Sequence, residues 1–160
     1  MKSLRHIFEK NNDLNFVSKI IKQKNIGMIS ASRGEFSPEE NEKRTSSLMD
    51  DINSKKLDYI PVRGRYIENY GSKDEKPVDE KSFLIHSDEN IIHHLKNFGK
   101  KYGQDSVLYK EKNSEIAKLH GTNKSGFPGL NKSHDIGTFH PNKKGEVHTV
   151  LGSGETFNFS

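Results

Sequence analysis

Residues 26–62 read IGMISASRGEFSPEENEKRTSSLMDDINSKKLDYIPV, and this stretch decides the fold class. Its opening, Ile26 to Ser32, is a short apolar run with small residues, which suits a buried strand. Ser37-Pro38-Glu39-Glu40 then reads as a helix start. Ser37 caps, Pro38 takes the first helical position and Glu40 closes a capping box. The predicted helix carries Thr45, Leu48, Met49 and Ile52 on one face and ends near Ser54. Leu57 to Val62 reads as a second strand, and Pro61 within it predicts an edge position or a bulge.

Downstream, Gly64 to Pro77 is a polar excursion containing Tyr66 and Tyr70. Ser82 to Ile85 (SFLI) predicts a third strand. Ser87 or Asp88 caps a second helix, with Ile91, Leu95 and Phe98 on one face and Ile92 beside them. Gly103 ends that helix, and Ser106 to Tyr109 (SVLY) predicts a fourth strand. The order over roughly residues 26–110 is β-α-β-β-α-β. The expected fold class is therefore α+β, with a ferredoxin-like βαββαβ core. That is a superfold and carries little functional information by itself.

Two flanking regions complete the expected organisation. Residues 1–24 form a helical preface, with Leu4, Ile7 and Phe8 on one stripe. Asp13 caps a second helix bearing Leu14, Val17, Ile20 and Ile21, a face that docks on the body or serves as a partner-binding arm. Residues 25–112 are the core. Residues 113–160 are a loop and β-hairpin extension of the same domain. Within it, Gly121 to Lys132 reads as a loop. Asp135 to His140 and Glu146 to Leu151 flank a turn at Pro141 to Gly145, and Thr156 to Phe159 alternates as a last strand after a Gly152-Ser153-Gly154 turn.

Composition bounds the function classes. The 160 residues are 30% hydrophobic and 30% charged, with no Cys, so disulfides and thiolate metal sites are excluded. No run approaches the ~20 apolar residues of a membrane span. Met1 to Lys10 is charged throughout, without the apolar segment of a secretory signal. The expected setting is cytoplasmic. No membrane partner and no cofactor are expected.

The net charge of +4 comes from 26 basic and 22 acidic residues. Most basic residues are Lys, read as solvated surface. Arginine is scarce, and Arg33, Arg44, Arg63 and Arg65 fall close together. Its planar fork grips carboxylate or phosphate, so a local choice of Arg points to a ligand or to internal ion pairs. In the expected sheet these residues converge beside the helix start at Ser37 and Asn41, with Glu80, Gln104 and Asp105 at neighbouring strand ends. A helix N-terminus with Arg forks suits an anion. Tyr66 adjoins and suits stacking on a base. The expected ligand-binding set is Arg33, Ser37, Asn41, Arg44, Arg63, Arg65, Tyr66, Glu80, Gln104 and Asp105. The other reading of the same residues is a polar network that fixes the sheet end.

The segments Ser30-Ala31-Ser32-Arg33-Gly34-Glu35, Glu39-Glu40-Asn41-Glu42-Lys43-Arg44, Ile60-Pro61-Val62-Arg63-Gly64-Arg65-Tyr66, Glu80-Lys81-Ser82-Phe83-Leu84-Ile85 and Tyr102-Gly103-Gln104-Asp105-Ser106 carry a resemblance. Over about residues 26–110 the chain resembles a family of small uncharacterised proteins of bacteria and tailed phages. The resemblance implies a small accessory protein of phage type, placed in the host cytoplasm or the virion, and no particular activity.

Other chemistry is weaker. His86, Asp88, Glu89, His93 and His94 cluster at the start of the second helix without a known metal spacing. His134, His140 and His148 make a weak zinc pattern, and no metal is expected. The leading expectation is a binding module that takes a nucleotide or nucleic acid through the arginine cluster. The alternatives are a phage protein that inhibits a host factor or belongs to the virion, and a metal-dependent nuclease or phosphohydrolase using Glu80 and Asp105 as acids.

Overall fold

The computed structural model describes residues 13–68, 71–145 and 147–160, apart from the side chains of Ile67 and Glu68. Leu4, Ile7, Phe8, Tyr70 and Glu146 lie outside the described residues. Helix α1 (Leu14–Gln23) starts where Asp13 predicts, and the Asp13 carboxylate accepts from the Phe16 N–H at 2.8 Å. Leu14, Val17, Ile20 and Ile21 are all buried. Strand β1 (Asn25–Ile29) leads to α2 (Pro38–Ser54), whose Ser37 cap accepts from the Glu40 N–H at 3.1 Å. Strands β2 (Asp58–Glu68) and β3 (Lys76–Ser87) form a long hairpin. They are followed by α3 (Ile92–Lys101), β4 (Ser106–Lys110) and β5 (Ala117–Gly121). Four short strands end the chain: β6 (Ser133–Gly137), β7 (Phe139–Pro141), β8 (His148–Val150) and β9 (Thr156–Phe159).

All nine strands of the described residues belong to one sheet, in the order β6-β5-β4-β1-β3-β2-β8-β9-β7. Every strand pairing among the described residues is antiparallel. The sheet curls into a nearly closed barrel with three helices among the described residues. The curl has a covalent cause. The two edge strands, β6 and β7, are consecutive in the chain and separated by Thr138 alone. One residue spans at most about 3.6 Å, so the two edges must meet. Thr138 and Ser160 exchange backbone hydrogen bonds at 3.0 and 2.9 Å beside this junction.

This architecture overturns the expected ferredoxin-like βαββαβ core with a β-hairpin extension. The C-terminal strands are not an appendage. β5 and β6 continue the sheet beyond β4, while β8, β9 and β7 continue it beyond β2. The expected hairpin does not exist either, since β7 and β8 each pair with β9 and not with each other. The polar excursion is also strand. β2 and β3 run in register from Asp58↔His86 to Glu68↔Lys76.

The sheet is buried on both faces. Ile29, Tyr59, Phe83, Ile85, Val107 and Tyr109 pack against Leu48 and Ile52 of α2 and Leu95 and Phe98 of α3. On the other face, Ile26, Ile60, Val62 and Leu84 pack against α1 and against Leu151 and Phe157. Burial on two faces explains why β1 and β3 read as continuous apolar runs rather than alternating ones. Pro61 sits on β2 opposite Phe83, where β8 no longer reaches, since β8 pairs only with Arg63 to Arg65. On the β8 side, a residue without an N–H costs no pairing there. The second helix start is corrected: Ile91 is the N-cap and makes no side-chain cap bond, and Asn90 accepts from the Ile92 N–H at 3.0 Å. No helix of the described residues is long and apolar enough to cross a membrane.

Candidate functional site

One end of the barrel holds a polar cleft. It is built where β1 gives way to the loop before α2, where the β2–β3 hairpin leaves the body, and where β4 begins. Ser32, Arg33, Gly34, Tyr66, Glu80 and Asp105 are among its lining residues, in a cavity of about 360 Å³. A second hollow of about 250 Å³ adjoins it, shares Arg33, Tyr66 and Glu80, and extends to Asn41.

Glu80 is the half-buried acid of this cleft. The Tyr66 hydroxyl donates to it at 3.2 Å, and the Ser30 hydroxyl also hydrogen-bonds it. Burial pushes its carboxyl above the ordinary range, and the two hydroxyls pull back against that. Alternation along the strands places it. Ser30 follows Met28 and Ile26 on the α1 face of β1, and Glu80 follows Leu84 and Ser82 on the same face of β3.

Arg33 stands on the loop after β1. Its Nε donates to Glu35 and its Nη1 to the Gly103 carbonyl. The guanidinium hydrogen bond holds the exposed Glu35 carboxyl below its usual range. Asn41 fixes this loop from the first turns of α2. Its amide oxygen accepts from the Arg33 N–H and its amide nitrogen donates to the Arg33 carbonyl, both at 3.0 Å. Gln104 donates to the Ser32 carbonyl at 3.2 Å. Asp105 is exposed and lines the cleft beside Gly126.

Of the ten residues expected to bind ligand, Arg33, Asn41, Tyr66, Glu80, Gln104 and Asp105 line the cleft. Ser37 caps α2. The other arginines do not join Arg33. Arg44 turns inward, donating to the Ala31 carbonyl at 2.7 Å and to the Tyr102 carbonyl, with its guanidinium 4.6 Å from the Phe36 ring centre. Arg65 pairs with the cross-strand Asp79 at 2.8 Å. Arg63 lies on an outer groove with Met49, Pro61 and Val150. The expected convergence of four forks fails because Arg63 and Arg65, two apart on a strand, share the α2 side of the sheet, whereas Glu80 is on the α1 side. Sequence reasoning omitted Ser30, Ser32, Glu35 and Ser106 from the site. The signal for the first three was the small, polar run directly after a buried strand.

The weak pattern of His134, His140 and His148 does not assemble: among the described residues no three His, Asp or Glu side chains group as a metal site.

A family model described as the S-Adenosylmethionine lyase family matches residues 27–159 of the chain. The chain belongs to that family. No curated protein sequence matches it. The match corrects the expected function. A lyase family is neither a phosphate-binding accessory family nor one of nucleases or phosphohydrolases, and it displaces the nucleic-acid-binding reading. It also replaces the resemblance to uncharacterised phage and bacterial proteins, and it extends through the C-terminal strands that the resemblance left out.

Proposed function

We propose that this protein is an S-adenosylmethionine lyase whose substrate occupies the Glu80 cleft. The observation that carries the reading is the half-buried Glu80 carboxylate, held by Tyr66 and Ser30 in a cleft that Arg33 and Glu35 also enter. The substrate carries a sulfonium cation, an amino-acid end with both charges, and a nucleoside. The cleft offers a partner to each. Glu80 faces the sulfonium, with the Tyr66 ring beside it as a cation–π surface. The neighbouring Arg33 and Glu35 meet the α-carboxylate and the α-ammonium. Gln104 and Asp105 lie where ribose hydroxyls need acceptors.

A lyase breaks a C–S bond without adding water. The bonding electrons leave with sulfur as a neutral thioether, and an oxygen of the substrate's own α-carboxylate forms the new C–O bond at that carbon, closing a lactone with no water added and no proton lost. The reaction then needs little covalent help from the protein. It needs the substrate held in the reactive conformation, which is a positioning effect. Asn41 and Gln104 supply this by fixing the loop that carries Arg33.

The test is chromatographic. Purified protein is expected to convert S-adenosylmethionine to a nucleoside thioether faster than its spontaneous decay. Glu80→Gln is expected to lower kcat/KM by about a hundredfold, equivalent to roughly 3 kcal/mol of lost transition-state stabilisation. No turnover by the unaltered protein, or full activity in both Glu80→Gln and Arg33→Ala, overturns the proposal.

A further inference from the structure

The opposite mouth of the barrel carries a second cleft, of about 560 Å³, which the lyase reading does not use. Strand β4 joins the two: Ser106 opens it in the Glu80 cleft, and Lys110 closes it in this one. Four residues of strand separate the sites by about 13 Å. The volume falls in the usual range for small-molecule pockets, about 300–1,000 Å³.

Lys110 is the unusual residue. Only 5% of it is exposed. Its ammonium donates to the Ile21 carbonyl at 2.8 Å and to the Glu111 carbonyl at 3.3 Å. Ile21 lies in the last turn of α1, whose partial negative charge helps to hold the ammonium there. Among the described residues, no carboxylate comes within ion-pair distance of it, and its third N–H finds no acceptor. A buried charge is costly unless it is paired. Backbone dipoles leave its unit charge uncompensated.

The rest of the cleft fits an anion with an apolar body. Lys22 and Lys112 are exposed at its rim, while Ile21 and Phe139 line its apolar part. Among the described lining residues Glu115 is the one acid, and it is exposed. Its electrostatic effect reaches Lys110, but the two make no ion pair.

We propose that this cleft is a second binding site, taking a small organic carboxylate whose head group meets the Lys110 ammonium. The chain of the ligand lies over Ile21 and Phe139, and Lys22 and Lys112 draw it in. A charge-assisted bond to a buried ammonium is the strong kind.

The experiment is an NMR titration of the full chain with sodium hexanoate, following backbone amides. Hexanol, sodium phosphate and sodium chloride are run alongside, the salts at equal ionic strength. Hexanoate is expected to give saturable shifts at Lys110 to Ser114 and at Thr138, with Arg33 and Gln104 unmoved. Lys110→Met is expected to weaken that binding about tenfold or more. Absence of saturation, or equal affinity in Lys110→Met, overturns the proposal. Matching shifts with hexanol show a merely apolar pocket, and matching shifts with phosphate show a bare anion site; either result overturns the carboxylate reading. If Lys110→Met does not fold, the Lys22→Ala, Lys112→Ala double variant serves, with severalfold weaker binding expected and unchanged affinity against the proposal. Since turnover is not the readout, failure here and failure of the lyase assay are separate results.

Discussion

Glu80 owes its character to two hydroxyl neighbours, Ser30 and Tyr66, and to burial. The same carboxylate at a solvated strand end would titrate normally. In the cleft, burial raises its pKa more than the Ser30 and Tyr66 hydroxyls lower it. The consequence for stability has the opposite sign to that of a salt-bridged acid. Above its ordinary pKa the folded protein binds this proton more tightly than the unfolded chain, so stability falls as pH rises through the window between the two values. Below the ordinary carboxylate pKa that cost is absent. Above the raised folded value it is present in full. Glu80→Gln is therefore expected to have a higher Tm than the unaltered protein at neutral pH. The gap should close as pH drops below the ordinary carboxylate value. Paired calorimetry at several pH values checks this, and a gap that is constant with pH counts against it. Glu35 and other shifted acids are common to both proteins, so the difference isolates Glu80.

At the scale of elements, the ends of helices and strands are tied by side chains that a sequence shows only as charges. Arg44 is the clearest case. It lies on α2, yet it ties the end of β1 through Ala31 to the end of α3 through Tyr102 and stacks on Phe36. Arg44→Met keeps much of the volume and loses both bonds. Hydrogen bonds to charged groups contribute about 1.5–3 kcal/mol each, so a loss of about 3 kcal/mol is expected from urea unfolding. A loss under about 1 kcal/mol would show that the two carbonyls find other donors. Arg44→Lys should recover little, because an ammonium cannot reproduce the planar fork. The scarcity of arginine was thus a real signal, but of mixed meaning. It marked Arg33 at the cleft and Arg44 as a structural tie with the same composition cue. The helices themselves were legible: Asp13 and Ser37 cap α1 and α2, and the faces of all three helices are buried as their spacing predicts. The strand lengths were not. Gly64 to Pro77 reads as polar loop because β2 and β3 there leave the body, so their side chains are mostly exposed and carry no apolar alternation.

The whole molecule depends on a closure that involves its last strands. Helix α1 is held at both ends across the barrel. The Leu14 N–H donates to Glu155 at 3.1 Å, and the Ile21 carbonyl accepts from Lys110. The junction itself requires Gly137. Its φ is +138°, and a Cβ there would lie 2.2 Å from the Ser160 carbonyl carbon. Gly137→Ala is expected to destabilise the protein by more than Gly154→Ala. Gly154 also has a positive φ, +88°, but a Cβ there would have nothing within 4 Å. The second substitution should cost about 1 kcal/mol, the conformational term alone. Hydrogen exchange at Thr138 and Ser160 should rise in Gly137→Ala only. Equal stability of the two variants would show that the seam does not hold the barrel.

The sequence by itself determined the local elements and their order through β4: caps, apolar faces and turn glycines act within a few residues, so the chain carries them openly. Arg33, Asn41, Tyr66, Glu80, Gln104 and Asp105, singled out in the sequence, line the cleft and its adjoining hollow, whereas the small polar run after β1 is a local signal that was passed over. Only the tertiary structure decided which strands pair across long separations, that the C-terminal strands extend the sheet on both sides, and which arginines reach the cleft. Those outcomes rest on sheet closure and on the side of the sheet a residue faces. A one-residue link between two edge strands sets the first, and a change of one in strand register reverses the second.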